Sequence, residues 1–185
     1  MQKFGKKKIN STEIIKTERL LLEPFSEKYL TQKYVDWLND PEVVRFSEQR
    51  HRKHTFDSCK EYIDSFKGTA NYIWAISVND DDIGHIGNIS IYVNTCDNTA
   101  DIGILIGEKK LWGKGYGKEA WSAVCSHLIN ERGIRKITAG ALATNIGMLR
   151  IMKKAGMIED GRCIRHSLWE DQEVDVIHMA IFRET

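Results

Sequence analysis

The stretch from Leu111 to Trp121, LWGKGYGKEAW, decides how the rest of the chain is interpreted. Glycines stand at positions 113, 115 and 117, between two segments of different character. Residues 102–107, before the glycines, form an apolar run of strand length, whereas the apolar residues after them recur at helical spacing up to Gly133. A strand, a glycine loop and a helix in this order place free backbone N–H groups at the positive end of a helix dipole. Such a position favours phosphate binding.

Two familiar phosphate loops fit the stretch poorly. The P-loop of nucleoside triphosphatases needs Gly where this chain has Trp112, and Ser or Thr where it has Glu119. The dinucleotide pattern can be matched as Gly115-x-Gly117-x-x-Ala120, but it expects an acidic ribose ligand on the next strand, where Thr138 and Ala139 stand instead. A nicotinamide-dependent oxidoreductase therefore has little support.

Length and charge bound the remaining possibilities. A chain of 185 residues is long enough for one well-buried domain and short for two, and no linker rich in Gly, Ser or Pro divides it. We expect a flexible basic tail over residues 1–12 and one domain over residues 13–185. The 27 basic and 26 acidic residues almost balance, so no overall field recruits nucleic acid or an anionic membrane.

The cysteines and the apolar segments indicate a cytoplasmic protein. The four cysteines are widely separated, without a Cys-x-x-Cys pair, and are expected to be thiols of a reducing compartment: Cys59, Cys96, Cys125 and Cys163. No apolar stretch reaches the length of about 18 residues expected of a spanning helix. The Lys-rich start MQKFGKKK lacks the hydrophobic core of a signal peptide.

The order of predicted elements indicates an α+β domain. A strand over residues 18–24 is followed by a helix capped by Ser26 and by a second helix capped by Thr55. Further strands are predicted over residues 72–78, 83–93 (bent at its glycines), 100–107, 134–142, 162–169 and 173–182, with helices after the glycine loop and from Asn145. This order predicts a mixed, mostly antiparallel central sheet of about seven strands with four helices.

Five pieces of the chain resemble the GNAT superfamily of N-acetyltransferases, and within it the ribosomal-protein N-acetyltransferase-like group (RimJ/RimL type). They are TERLLL at 17–22, WLNDPEV at 37–43, ADIGILIGEKKLWGKGYGKEA at 100–120, Asn145 with Gly156-Met157, and EDG at 159–161 with a later Asp175. The superfamily's pyrophosphate loop, Arg/Gln-x-x-Gly-x-Gly/Ala, is matched by Trp112-x-x-Gly115-x-Gly117, with Trp in the first place. The resemblance implies a single GNAT-type domain with splayed strands at an acetyl-CoA site.

The resemblance also assigns residues to the cosubstrate, acetyl-CoA. In the family, the loop amides bind the pyrophosphate, the strand before the loop pairs with the pantetheine arm, and an Asn at the start of the next helix contacts the same arm. Carried over to this chain, the cofactor-binding residues are Leu105, Ile106, Gly107, Trp112, Gly113, Lys114, Gly115, Tyr116, Gly117, Lys118 and Asn145.

Catalysis requires a neutral amine, because a protonated acceptor cannot attack a thioester. In members that acetylate histones the base is a strand Glu eleven residues before the loop motif, and the same count from Trp112 gives Asp101. Burial in an otherwise apolar strand would raise the pKa of this carboxyl. Many members protonate the leaving thiolate with a Tyr at the position of Met152, which cannot donate a proton. The acid is therefore left open, and a non-catalytic acyl-CoA-binding module is an alternative.

The acceptor has to be inferred from the charged segment at residues 43–55. Its candidate substrate-binding residues are Glu48, Arg50, His51 and Arg52. Arginines and histidines here favour a small polar or anionic amine, such as an amino sugar or a nucleotide-linked amine, over the N-terminus of a ribosomal protein. No metal is expected, since His51-x-x-His54 has no companion carboxylate at ligand spacing. We expect no nucleic-acid or membrane partner, and either a monomer or a homodimer.

Overall fold

The computed structural model describes residues 13–80 and 83–184, so the predicted tail at residues 1–12 lies outside the described residues. Eight strands and five α-helices follow one another along this part of the chain. Their bounds are β1 Ile15–Lys16, β2 Leu20–Pro24, α1 Gln32–Asn39, α2 Pro41–Val44, α3 Phe56–Asp64, β3 Tyr72–Val78, β4 His85–Asn94, β5 Thr99–Ile106, α4 Tyr116–Ser126, β6 Lys136–Leu142, α5 Ile146–Lys154, β7 Ile158–Trp169 and β8 Gln172–Phe182.

The strands form one mixed sheet in the order β1-β2-β3-β4-β5-β6-β8-β7. Only β5 and β6 are parallel, and every other neighbouring pair is antiparallel. On one face, α4 and α5 pack their apolar sides, including Trp121 and Met152, against the sheet in the main hydrophobic core. On the other face, α1 and Cys59 of α3 form a smaller core that also contacts Leu105 of β5. The predicted α+β class with a mostly antiparallel mixed sheet is confirmed.

The structure has one strand and one helix more than the expected seven and four. The additional strand, β1, has only two residues, which is too short to show a hydrophobic period. The additional helix, α2, lies where no element was predicted, between the first two predicted helices; Pro41 occupies its first turn and the Asp40 side chain caps it. The predicted cap Ser26 precedes only a short 3₁₀ turn without a side-chain cap bond, and Thr31 caps α1 instead.

Other local predictions are confirmed. Thr55 begins α3 with a reciprocal capping box in which its side chain and that of Ser58 each accept from the other's backbone N–H. The predicted bend in β4 is a bulge, because the pairing of β3 with β4 shifts where Ile76 and Ser77 face Gly87 and His85. These features fix how α3 and β4 approach the centre of the sheet.

The hairpin of β7 and β8 extends beyond the rest of the sheet. Strand β7 begins four residues before its predicted start and carries a wide bulge between Cys163 and Ser167. Asp175 of β8 holds this bulge, accepting from the backbone N–H of Arg165 at 2.9 Å and from the Arg162 guanidinium at 3.2 Å. Bulges of this kind redirect side chains, and here His166 and Ser167 of the bulge line the cavity described below.

Candidate active site

Strands β5 and β6 separate to form a fork in the sheet. Their parallel pairing covers only Thr99–Asp101 and Lys136–Thr138, although β5 continues to Ile106 and β6 to Leu142. Beyond Asp101, none of the described strands pairs with the edge of β5 that faces β6, while the opposite edge stays paired with β4. The splayed strands expected from the sequence are present.

A cavity of about 1210 Å³ opens at this fork. It is larger than the roughly 300–1,000 Å³ of most small-molecule pockets. It brings together twelve of the sixteen predicted site residues: Glu48, Arg50, His51, Leu105, Ile106, Trp112, Gly113, Gly115, Tyr116, Gly117, Lys118 and Asn145. The predicted cofactor and acceptor regions thus share one continuous space.

The glycine loop presents the start of α4 to the cavity. Gly115 is the N-cap of α4 and has φ 88°, a left-handed conformation that costs glycine little and other residues more. The first N–H groups of a helix have no intrahelical acceptor. Trp112, in the place of the family's Arg or Gln, donates its indole N–H to the carbonyl of Ile106 at 2.8 Å and so ties the loop to the end of β5. The start of α4 therefore has the geometry of an anion cradle.

The side chain of Arg19 contacts both the glycine loop and the first turn of α4. Its guanidinium donates to the Lys114 carbonyl at 3.1 Å and to the Glu119 carboxylate at 2.7 Å, and it lies 4.4 Å from the centre of the Tyr116 ring. Thr17 donates to the same carboxylate at 2.5 Å. Thr17 and Arg19 belong to the TERLLL piece at 17–22, for which the resemblance implied no role. Their contacts connect the glycine loop and the first turn of α4 to the N-terminal strands.

Helix α5 begins on the other side of the fork. The side chain of Asn145 caps it by accepting from the N–H of Met148 at 3.1 Å. Met152 is fully buried in the main core, so its position offers no group to the cavity. Arg150 and Lys154 line the cavity and were missed by sequence reasoning, although their spacing of four places both on one helix face. Together with Lys118 they add positive charge around the anion cradle.

Asp101 stands at the vertex of the fork. Its carboxylate accepts from the Thr138 hydroxyl at 2.7 Å across the last paired rung of β5 and β6. Surrounding protein atoms raise the pKa of Asp101, and the Thr138 hydroxyl and the charge of His178 act in the opposite direction. Solvent still reaches the Asp101 side chain from the face of the sheet opposite α4 and α5. Asp101 does not itself line the cavity.

The wall opposite the glycine loop is built by two segments that are distant in sequence. The indole N–H of Trp169 donates to the Arg45 carbonyl at 3.0 Å, and the Trp169 ring stacks on Phe46 with 5.4 Å between centroids. Arg50 donates to the Leu168 carbonyl at 3.2 Å. This contact brings the β7–β8 hairpin to the cavity, and sequence reasoning missed its contribution: His166, Ser167, Leu168, Val176 and His178.

The predicted acceptor residues divide between two surfaces. Glu48, Arg50 and His51 line the cavity, whereas Arg52 lines a separate groove of about 340 Å³. The Arg50 guanidinium is largely covered and also bonds the Ser47 carbonyl at 2.9 Å and Glu48 at 3.1 Å. Its contacts within the protein therefore account for most of its donors.

Two predicted cofactor residues lie outside the cavity lining. Gly107 donates its N–H to the Ile86 carbonyl at 2.9 Å, and a Cβ at this position would overlap the ring of Trp37. Lys114 contributes its carbonyl to Arg19 rather than a group to the cavity. With Asp101 and Arg52, these are the four predicted residues that the cavity does not include.

Comparison with known proteins agrees with this geometry. The family model described as acetyltransferase (GNAT) domain matches residues 19–158. The uncharacterized N-acetyltransferase YnaD of Bacillus subtilis is 28% identical over 162 residues, covering 85% of this chain and 92% of the relative. The N-acetyltransferase 9-like protein of Nematostella vectensis is 27% identical, with coverage of 80% and 79%.

Solved structures share the fold at lower identity. A GNAT acetyltransferase from Bacillus anthracis superposes with a TM-score of 0.79 at 23% identity, covering 94% of this chain and all of that one (100%). The spermidine N-acetyltransferase of Vibrio cholerae, in complex with CoA and spermine, has a TM-score of 0.79 at 17% identity, with coverage of 90% and 97%. A RimL α-N-protein acetyltransferase in complex with coenzyme A also has a TM-score of 0.79, at 14% identity, with coverage of 92% and 98%.

The chain belongs to the acetyltransferase (GNAT) domain family, since the family model covers most of its length. It is an acyl-CoA-dependent N-acetyltransferase, as its named relatives are. In the described part of the chain, no helix is long and apolar enough to cross a membrane. The same residues contain no group of three or more His, Cys, Asp or Glu side chains placed to hold a metal ion.

Proposed function

We propose that acetyl-CoA is the acyl donor and that its pyrophosphate binds at the N-terminus of α4. The proposal is supported by the left-handed Gly115 at the start of α4, by the position of residues 115–118 in the cavity lining, and by the positive end of the helix dipole in the first turn of α4. Lys118, Arg150 and Lys154 supply countercharge from the cavity wall. The thioester, when bound, supplies an activated acetyl carbonyl.

The pantetheine arm is proposed to lie in the fork. Among the described strands none pairs with the edge of β5 that faces β6 beyond Asp101, so this edge, which ends at Leu105 and Ile106 in the cavity wall, is proposed to pair with an extended amide-containing chain. The Ile106 carbonyl is the exception, since it accepts from Trp112. Asn145 lies across the fork, with its Oδ1 engaged by Met148 and its amide NH₂ free to donate. The base is proposed to be Asp101, at the vertex, because burial raises the pKa of its carboxyl and so makes it a better proton acceptor than an ordinary Asp.

The acceptor is proposed to be a small primary amine that carries an anionic group, such as an amino sugar linked to a nucleotide. Arg45 carries this proposal. Its guanidinium lies 4.8 Å from the centre of the Phe46 ring and 5.8 Å from that of Trp112, and within the described residues no carboxylate forms an ion pair with it. The two cavity carboxylates already have cationic partners, Glu42 with Lys109 at 3.0 Å and Glu48 with Arg50 at 3.1 Å.

An amine panel tests this acceptor class. Release of free CoA thiol would be measured with amino-sugar phosphates and nucleotide-linked amino sugars, with spermidine, and with peptides bearing a free N-terminus. We expect turnover to be highest for the anionic amines. Replacing Arg45 with Ala should raise KM for them and leave KM for a neutral amine unchanged, whereas Arg45→Lys should keep part of the effect because the charge remains. Equal KM values in all three proteins would contradict the assignment.

The N-terminus of a protein is the second candidate acceptor. Its support is that Glu42 and Glu48, two carboxylates suited to a cationic peptide, line the cavity. The spermidine and RimL enzymes with the same fold act on cationic or protein acceptors by their names. Higher turnover for peptides or spermidine than for every anionic amine would favour this alternative.

A further inference from the structure

Two glycines lie at the fork on the face of the sheet opposite α4 and α5, and they contribute no side chains there. Gly103 of β5 and Gly140 of β6 both line the cavity, and a Cβ at Gly103 would meet no atom within 4 Å. They follow Asp101 and Thr138 by two residues, so all four positions lie on the same face of the sheet. An acceptor approaching the fork from this face therefore meets no atom over Gly103, and over Gly140 it meets the side chains of His178 and Val176.

His178 is the titratable residue beside this opening. The pairing of β6 with β8 places it directly opposite Gly140, and a Cβ on Gly140 would touch the Cε1 and Nδ1 atoms of the imidazole at 3.6 Å. The imidazole of His178 therefore lies over Gly140, with its Cε1 and Nδ1 edge nearest the fork. Its other nitrogen, Nε2, lies 3.6 Å from the Sγ of Cys163 on β7.

The charged neighbours of His178 are few. From β5, the Asp101 carboxylate accepts from Thr138, whose partner on β8 is Ala180, two residues from His178 along the same face of the sheet. Burial raises the pKa of this carboxyl, and the charge of His178 acts to lower it. From β7, the half-buried Cys163 thiol touches it, and β6 contributes only Gly140 at this rung. Asp101 lies behind the cavity lining and His178 is part of that lining. Of these two titratable groups, His178 is therefore the one in the cavity wall that an acceptor amine would meet.

We infer that His178 is the group that takes the proton from the acceptor amine, with Asp101 as the carboxylate that stabilises the resulting imidazolium. This inference rests on the N-acetyltransferase activity and revises the role proposed above for Asp101, which then acts on the imidazole and not on the amine itself. Imidazole suits the task because a neutral ring nitrogen can accept a proton, and a base placed within reach of the reacting nitrogen typically contributes about 10²–10⁴-fold.

The proton balance follows from the reaction. The acceptor enters as an ammonium ion and gives one proton to the neutral imidazole of His178. The freed lone pair on nitrogen forms the C–N bond to the thioester carbonyl carbon, and the C–S bond breaks with its electron pair on sulfur. The second amine proton ends on that sulfur, giving the free thiol. The imidazolium then releases its proton to solvent, which reaches both His178 and Asp101.

His178→Gln tests the inference, since Gln keeps a polar side chain but cannot titrate. The assay is thiol release with whichever amine the unaltered enzyme uses best, followed across the neutral pH range, together with the CoA dissociation constant from calorimetry. We expect kcat/KM for the amine to fall about 100-fold or more, with unchanged CoA affinity and loss of the acidic limb of the pH profile. In His178→Ala, added imidazole should restore part of the activity.

His166→Gln is the matched control, because it removes an imidazole from the same cavity one strand farther from the fork. We expect it to retain the acidic limb. A His178→Gln enzyme that binds CoA normally and keeps both the limb and a kcat/KM within about threefold of the parent would overturn the inference. If His178→Gln failed to bind CoA, imidazole rescue of His178→Ala would decide instead. Failure of the anionic-acceptor proposal would show separately, as a preference of the unaltered enzyme for another amine.

Discussion

Replacing Gly115 with Ala tests whether the conformation of the glycine loop is what binds CoA. At φ 88° an added Cβ is strained, and it would approach Arg19 Nη2 at 3.4 Å, a distance that needs little movement. The strain is about 1–2 kcal/mol. Loss of chain entropy in the unfolded state offsets about 0.4–1 kcal/mol of it. The net cost in the free energy of unfolding is therefore modest, and the fold should survive.

The effect on CoA should exceed the effect on stability. A shift of Gly115 toward ordinary φ values turns the following amides away from the cavity. A hydrogen bond from an amide to a charged acceptor contributes about 1.5–3 kcal/mol, so loss of one weakens binding about 10- to 150-fold. Calorimetric titration with CoA measures this affinity, and chemical denaturation measures the stability of the same sample.

Gly68→Ala is the matched control. Gly68 has φ 73°, a Cβ there would meet nothing within 4 Å, and the residue does not line the cavity. It should lose a similar amount of stability, a few °C in Tm for a domain of this size, with no change in CoA affinity. Equal weakening of CoA binding by both substitutions, or normal binding by Gly115→Ala, would refute the proposed cradle.

Three further outcomes are expected. Burial lowers the pKa of His85 from 6.5 to about 4, so the unfolded chain binds the proton more readily than the folded one. The free energy of unfolding should therefore fall as the pH drops from 6.5 toward 4, by at most about 3 kcal/mol. Denaturation measured at each pH should show a flatter slope for His85→Gln. Met152→Ala, at a site with 0% exposure, should cost about 2–5 kcal/mol of unfolding free energy, and Met152→Leu less than about 1.5. Trp169→Ala removes the stacking on Phe46 and the bond to the Arg45 carbonyl. It should raise KM for the acceptor up to about tenfold without changing CoA affinity, and Trp169→Phe should raise it less.

The donor half of the site could be predicted from sequence because it is local. Strand, loop and helix follow one another from Thr99 to Ser126, so the glycine pattern alone places the cradle at the end of β5. The exceptions arise from tertiary contacts. Gly107 is glycine because Trp37 packs against it, and the Lys114 carbonyl faces Arg19, which is distant in sequence. No spacing rule within the loop contains either contact.

The helix caps show a second limit. Ser26 and Thr31 are both acceptable N-cap residues, and the choice between them depends on where the chain leaves β2. The structure begins α1 after Thr31, whose side chain accepts from Tyr34 N–H, because Tyr29 is buried ahead of it. Pattern reasoning identifies the apolar face correctly in such cases and misplaces the boundary by a turn.

The acceptor half depends on pairings that a linear reading cannot contain. Arg45 and Trp169 are joined across 124 positions, and Arg50 and Leu168 across 118. His178 faces Gly140 only because β8 inserts between β6 and β7 in the sheet. Residues of the β7–β8 hairpin can therefore change the acceptor without altering the glycine loop, and the same donor chemistry can serve different amines. Substitutions at Arg45 and Trp169 should therefore change KM for the amine, whereas Gly115→Ala should change CoA affinity. A variant that changed both KM for the amine and CoA affinity would show that the two halves are coupled through Trp112.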